Sequence, residues 1–185
     1  MTRKPKPAAP GTTADIESMI RVDHAGEYGA VRIYEGQLAV LRGRKGTEHS
    51  VATIAHMAEQ EQRHLKAFDT LINERKVRPT ALEPVWRVAG FALGAATAAL
   101  GEKAAFACTA AVEEVIDEHY AAQIKALEND EDPVLKAAVE EFRADEAAHR
   151  DTALKEGAEQ APAYTLLSET IKAGCRIAIK LSERI

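Results

Sequence analysis

The chain has 185 residues, a net charge of −5 and 46% hydrophobic residues, of which few are aromatic. That length suits one domain with a substantial core, and the acidic balance argues against a nucleic-acid partner. Apolar residues recur at helical spacing while strand-like alternation is scarce, so an all-α protein is expected.

Residues 1–14 open with a stretch rich in proline and basic side chains that has no apolar run. It reads as a disordered tail and not as a signal peptide or amphipathic targeting helix. A single domain is expected over 15–185, holding two helical hairpins at about 15–77 and 102–157. The first helix runs from near Asp15 to about Leu41. Its Gly26, Gly29 and Gly36 each cost roughly 1 kcal/mol against alanine. The two nearest Glu27 imply a close helix approach or a local bulge, unless the helix is simply a poor one. Gly43 to Gly46 break it, and Thr47 is available to cap a second helix from about Glu48 to Val77. Arg78, Pro79 and the residues up to Pro84 end that one.

Val88 to Gly101 carries no charge, yet it is shorter than the ~20 residues a membrane span needs. An apolar crossover helix is expected, packed on the bundle or lying in a membrane interface. Gly90 and Gly94, four apart, would permit close packing on another helix. Further helices cover about Glu102–Leu127 and Pro133–Glu156, the latter capped by Asp132, begun by Pro133 and closed by Gly157. Cys108 and Cys175 form no C-x-x-C pair and read as small core residues in a reducing compartment.

A last helix follows Pro162. Leu167, Ile171, Gly174, Ala178, Leu181 and Ile185 form one stripe along it, and Lys172, Arg176, Lys180 and Arg184 form a basic opposite side. The pattern fits a membrane surface, although the same stripe would serve ordinary core packing. The apolar crossover helix favours the membrane.

One motif organises these helices. Glu61-Gln62-Arg63-His64 returns as Glu146-Ala147-Ala148-His149, and each follows a lone glutamate, Glu27 or Glu113, by 34 or 33 residues. Residues three apart on a helix are neighbours on its surface, so each pair can close on one ion. From Glu27 to the first turn is roughly 24 Å of helix, and from that turn to Glu61 roughly 21 Å. The carboxylates therefore return to the same height on adjacent antiparallel helices. The second hairpin repeats the sum. Two helices giving one Glu and two giving Glu-x-x-His is the ligand set of a carboxylate-bridged two-metal centre in a ferritin-like four-helix bundle. The apolar neighbours of Glu113 and Glu146 imply burial, which four uncompensated carboxylates would resist; two divalent cations balance their charge. Four carboxylates and two imidazoles suit iron or manganese better than zinc.

Other polar residues surround this set. His24, three before Glu27, is surplus to six ligands, and His49 and His56 are expected to be exposed. Asp23 either orients a metal-bound imidazole or is an ordinary capping or surface residue. Tyr120 lies seven beyond Glu113 with His119 beside it; they read as a relay for an electron or proton, or as packing near the site. No Gly-x-Gly-x-x-Gly occurs, so a nicotinamide would bind unconventionally, or reduction comes from a quinol or another protein. The ligand set alone permits oxygenase, ferroxidase, peroxidase or catalase chemistry.

More particular motifs follow. Arg21 to Ala30 (RVDHAGEYGA) with Arg32-Ile33-Tyr34, then Arg78-Pro79-Thr80, Gly90 to Gly94, Ala107-Cys108-Thr109, Val112-Glu113-Glu114, Ala161 to Tyr164, Ala173 to Arg176 and Leu181 to Arg184 together resemble the demethoxyubiquinone hydroxylase family. The resemblance covers residues 19–185. It implies two iron ions on Glu27, Glu61, His64, Glu113, Glu146 and His149; Glu61 and Glu146 are the candidates to bridge them, with Glu27 and Glu113 terminal. It further implies a peripheral membrane mono-oxygenase that uses dioxygen to hydroxylate a polyprenyl quinol in ubiquinone synthesis. The place would be the cytoplasmic face of a bacterial cell membrane or the matrix face of the mitochondrial inner membrane, with other quinone-biosynthesis proteins as partners. Two rival classes share parts of the pattern. A soluble ferroxidase or iron-storage protein would keep the ligands without a lipid-facing helix, and a membrane-bound scaffold for quinone-synthesis enzymes would keep the apolar helices without the irons.

Overall fold

In the computed structural model the described residues are 13–128 and 132–184. The tail expected at the N-terminus, apart from its last two positions, lies outside them, as does Ile185 of the C-terminal stripe. Six α-helices follow one another: α1 (Thr13–Leu41), α2 (Glu48–Arg75), α3 (Glu83–Leu100), α4 (Glu102–Ala126), α5 (Pro133–Lys155) and α6 (Tyr164–Ser182). A single 3-10 turn, Ala158–Gln160, precedes α6, and no strand occurs among the described residues. The all-helical, ferritin-like expectation holds. Helix α1 starts at Thr13, two residues before the expected Asp15, and α2 stops two residues before Val77.

Local chemistry sets the breaks. Thr47 precedes α2 as expected, but its hydroxyl does not cap that helix. It donates instead to the carbonyls of Leu41 at 2.7 Å and Arg44 at 3.0 Å, closing off the end of α1. Asp132 does act as a cap, accepting the Leu135 amide at 3.0 Å. The Arg75 guanidinium grips the same carboxylate from the end of α2 and holds its pKa down, so one residue starts α5 and ties the hairpins together. Gly101 turns α3 directly into α4 at a φ of 126°, a conformation that favours glycine.

Short connections make α1 and α2, and α4 and α5, antiparallel hairpins. The crossover α3 lies along α1, while α6 covers α4. Gly90 and Gly94 do allow the close approach expected of them: a Cβ on Gly94 would sit 1.9 Å from the Ile33 carbonyl oxygen, and one on Gly36 of α1 would sit 2.2 Å from that of Phe91. Gly26 and Gly29 behave differently. Helix α1 runs through them without a bulge, and a Cβ on either would meet nothing within 4 Å. The close approach expected here is made by Gly90, where a Cβ would sit 2.9 Å from the Gly29 carbonyl oxygen, while the Cα faces of Gly26 and Gly29 leave room and no bulge forms.

Among the described residues three apolar clusters form, one of them, with Ile33, Cys108, Val112 and Ile171, lying under α6. The other two fill the bundle at different heights: one contains Ile20, Phe68, Tyr120 and Phe142, the other Tyr34, Met57, Ala110 and Ala153. On each of the four bundle helices the motif residues fall between these positions. Helix α4 is buried all round from Ala104 to Glu113, which its small side chains permit.

The C-terminal stripe divides. Ile171 is buried and Leu167 packs against the core, whereas Gly174 and Ala178 line a cavity and Leu181 is exposed. The basic side of α6 is partly engaged within the protein. Lys172 Nζ pairs with Glu114 at 2.7 Å and Arg176 Nη2 with Glu118 at 3.0 Å, which reduces the charge available to an anionic surface.

Replacing Gly94 with alanine is expected to push α3 off α1 and to cost about 1–3 kcal/mol. Gly174→Ala, with nothing within 4 Å of its Cβ, should gain up to about 1 kcal/mol from helix propensity. Urea denaturation of the two variants measures both, and equal stabilities would contradict the α1–α3 packing.

Candidate metal centre

Glu27 from α1, Glu61 and His64 from α2, Glu113 from α4, and Glu146 and His149 from α5 meet between the two cores, each at most 2% exposed. They form two overlapping groups. Donor atoms of Glu27, Glu61, His64 and Glu146 all lie within 4.8 Å of one another, as do those of Glu61, Glu113, Glu146 and His149. Glu61 and Glu146 belong to both. His64 Nδ1 is 3.2 Å from Glu146 Oε1 and 3.5 Å from Glu27 Oε2. His149 Nδ1 is 2.9 Å from Glu61 Oε1 and 3.3 Å from Glu146 Oε2.

These contacts leave the groups polar and unsatisfied. Glu27 Oε2, both oxygens of Glu61 and of Glu146, Glu113 Oε2, His64 Nδ1 and His149 Nδ1 are buried with no hydrogen-bond partner. A buried orphan of this kind costs about 1–3 kcal/mol, and more when charged. Burial and then mutual repulsion raise Glu61 and Glu113 well above the usual carboxylate pKa. Burial opposes charge on His64, but Glu146 and Glu27 outweigh it and lift its pKa to about 10. All six residues thus turn at least one unpaired donor inward. Hard oxygens with two imidazole nitrogens fit a pair of divalent cations, and the cluster is compatible with a metal site.

The outer contacts repeat with a pseudo-two-fold and cross between hairpins. Tyr34 lies seven residues after Glu27 and Tyr120 seven after Glu113. Each phenol donates to the lone glutamate of the other hairpin, Tyr34 to Glu113 Oε1 at 2.7 Å and Tyr120 to Glu27 Oε1. Burial, then the neighbouring carboxylates, push both phenol pKa values up, so both remain donors. Gln37 and Gln123 stand ten residues after the same glutamates. Gln37 donates to Thr109 Oγ1 at 3.3 Å, and Gln123 to Asp23 Oδ1 at 2.7 Å. The residue before each Glu-x-x-His backs the opposite imidazole: Asp145 Oδ2 lies 3.0 Å from His64 Nε2, and Gln60 Oε1 3.1 Å from His149 Nε2.

Tyr34, Gln60 and Asp145 escaped the sequence reading. The signal was available, because the hairpins share Glu-x6-Tyr-x2-Gln and an amide or carboxylate just before Glu-x-x-His. Asp23 does orient an imidazole, but it is that of His119, at 3.3 Å, and neither cluster histidine. Tyr120 reaches the cluster through Glu27. His119 sits beside it with ring centroids 6.2 Å apart and bonds to Asp23 and Gln123 instead. His24 is buried against Asp69 at 3.0 Å, while His49 and His56 are exposed as expected.

Beside the cluster an apolar cavity of about 420 Å³ opens between α1, α3, α4 and α6. Gly26 and Val112, the neighbours of Glu27 and Glu113, line it, together with Gly29 and Trp86. On α6, Gly174 and Ala178 complete its wall. The open space above Gly26, Gly29 and Gly174 is part of this volume.

The family model described as ubiquinone biosynthesis protein COQ7 matches residues 14–182. A "3-demethoxyubiquinol 3-hydroxylase" of Rhodospirillum rubrum is 55% identical over 179 residues, covering 97% of this chain and 82% of that protein. The human protein named "NADPH-dependent 3-demethoxyubiquinone 3-hydroxylase, mitochondrial" is 51% identical over 93% of this chain and 79% of its own length. A "5-demethoxyubiquinone hydroxylase, mitochondrial" of Saccharomyces cerevisiae is 41% identical over 93% of this chain and 79% of its own. A helical bundle with this crossed Glu/His cluster, matched almost end to end by such proteins, belongs to the ubiquinone biosynthesis protein COQ7 family.

Proposed function

We propose that the chain is a dioxygen-dependent di-iron mono-oxygenase that hydroxylates the ring of a polyprenylated demethoxyubiquinol during ubiquinone synthesis. The observation that carries this reading is the cluster of inward-facing, unpartnered donors next to an apolar cavity. The names of its relatives supply the substrate class. Glu27, Glu61, His64, Glu113, Glu146 and His149 would hold two iron ions. When bound, such a pair would activate dioxygen so that one oxygen atom enters the ring while the other takes two electrons, from a nicotinamide, a quinol or a protein donor, and two protons and leaves as water.

The chain's own residues set the stage. Glu61 and Glu146, common to both donor groups, would be the ones shared between two ions. Glu27 and Glu113 would each serve one, and Tyr120 and Tyr34 hold them in place. Tyr120 reaches the cluster through Glu27, and a relay with His119 would have to pass between rings 6.2 Å apart, since His119 itself bonds to Asp23 and Gln123. The cavity takes the ring and the start of the prenyl tail and keeps water away from the donors.

The surface around the cavity suits a peripheral membrane position. Val85, Val88 and Leu100 of α3 and Leu166, Ile177 and Leu181 of α6 are exposed, flanking the helices that form the cavity wall. No helix among the described residues is long and apolar enough to cross a membrane. With Lys172 and Arg176 paired internally, apolar insertion contributes more than attraction to anionic lipid. An iron-storage protein has no use for this cavity, and a scaffold has none for the inward donors.

Three outcomes test the reading. Glu113→Ala should fail to restore quinone synthesis in a deficient cell, and restoration would refute the enzymatic role. Gly174→Leu, which fills the cavity wall, should bind iron normally yet lower turnover at least about ten-fold, as a blocked apolar site does. Zwitterionic vesicles should co-sediment the protein with little dependence on salt, and Val88→Glu with Ile177→Glu should release it. Absence of the wild-type protein from every vesicle pellet would exclude the membrane position.

A further inference from the structure

The crossed repeat is nearly symmetric at the cluster itself. Each donor group holds one lone glutamate, the shared pair Glu61 and Glu146, and one histidine, and each lone glutamate accepts from a tyrosine. The symmetry fails one bond further out. His64 Nε2 faces the carboxylate of Asp145 at 3.0 Å, but His149 Nε2 faces the neutral amide of Gln60 at 3.1 Å.

We propose that the two metal positions are unequal, and that the one built on His64 holds its ion more tightly than the one built on His149. This rests on the metal-centre reading above. In both rings Nδ1 points into the cluster, so with an ion on Nδ1 the proton would sit on Nε2 and be donated outward. A carboxylate acceptor draws on that proton more strongly than an amide oxygen and enriches Nδ1 in electron density. It also puts a negative charge in direct hydrogen-bond contact with one imidazole, where the other has a neutral amide and feels Asp145 only at longer range. Arg63 Nη2, 3.4 Å from Asp145 Oδ2, tempers that charge but is 60% exposed, so solvent weakens its effect. Stacking of Phe142 on His64, with centroids 4.2 Å apart, fixes the ring that Asp145 orients. Partners of this kind are worth 10–100-fold in metal affinity. The first ion to arrive therefore settles at the His64 position.

Two ions of like charge would bind stepwise even at equal sites, so each position is isolated in turn. The full-length, metal-free protein is titrated anaerobically with Mn(II), and free ion is counted by electron paramagnetic resonance. His149→Ala keeps the His64 position and is expected to bind its first ion as tightly as the wild type. His64→Ala should bind its first ion about ten-fold more weakly. Adding Asp145→Asn should remove most of that gap, and Gln60→Glu should narrow it from the other side while the helical circular dichroism is unchanged. The Gln60→Glu arm keeps the proposal testable if Asp145→Asn does not fold. First-ion affinities within two-fold in the two histidine variants overturn the inequality and leave the centre standing. A gap that persists in both outer variants overturns Asp145 as its source. A wild-type protein that binds no Mn(II) removes the centre and the inequality together.

Discussion

Four carboxylates buried in the middle of a helical bundle are the constraint from which the rest of this structure follows. Left alone, like charges at these separations repel and resist desolvation, and the raised pKa values of Glu61, Glu113 and Glu146 express that conflict. The surrounding chain does not relieve it. It supplies only two imidazoles and two phenols, and most of the inward atoms stay unpaired. Such an arrangement is a poor way to stabilise a protein and a suitable one to hold cations. The two apolar cores at either height and the close fit of α3 on α1 through Gly36 and Gly94 stabilise the frame around it.

Crossing between hairpins explains why the frame is shared. Tyr34, Tyr120, Gln37, Gln123, Gln60 and Asp145 each reach a partner in the other hairpin. Neither hairpin completes the cluster or its outer bonds by itself. The Arg75–Asp132 pair adds one more link at the bundle end. Fold and site are therefore built by the same contacts, and a shift of one hairpin against the other would break several of them at once.

The helices and the six inward residues were legible in the sequence because their signal is local. Glu-x-x-His depends only on helical pitch, and the return of Glu61 to the height of Glu27 depends only on rise per residue. What escaped is what depends on the rotation of one helix against another. Tyr34 repeats the spacing of Tyr120, but its partner Glu113 lies 79 residues away. Asp23 lies four residues before Glu27, which leaves it open in the sequence to a cluster imidazole or to a capping or surface role, whereas the facing helix brings His119 to it. Thr47 occupies a capping position, yet the carbonyls at the end of α1 compete for its hydroxyl. Gly29 is a contact glycine, met by Gly90, but only the placement of α3 and α6 shows that it and Gly26 also form cavity wall.

That placement also gives the bundle two unlike sides. Helices α3 and α6 cover α1 and α4, which carry the lone glutamates, and the cavity lies among these four. The Glu-x-x-His helices α2 and α5 face the other way. There the imidazoles are backed by Gln60 and Asp145, and Asp145 meets the exposed Arg63. The flank of α1 and α4 is therefore apolar beside the cluster, lined by glycines and small aliphatic side chains. The flank of α2 and α5 is polar, and its outer partners end on side chains that water can reach. A four-helix bundle covered on one flank only gives one cluster both kinds of surroundings.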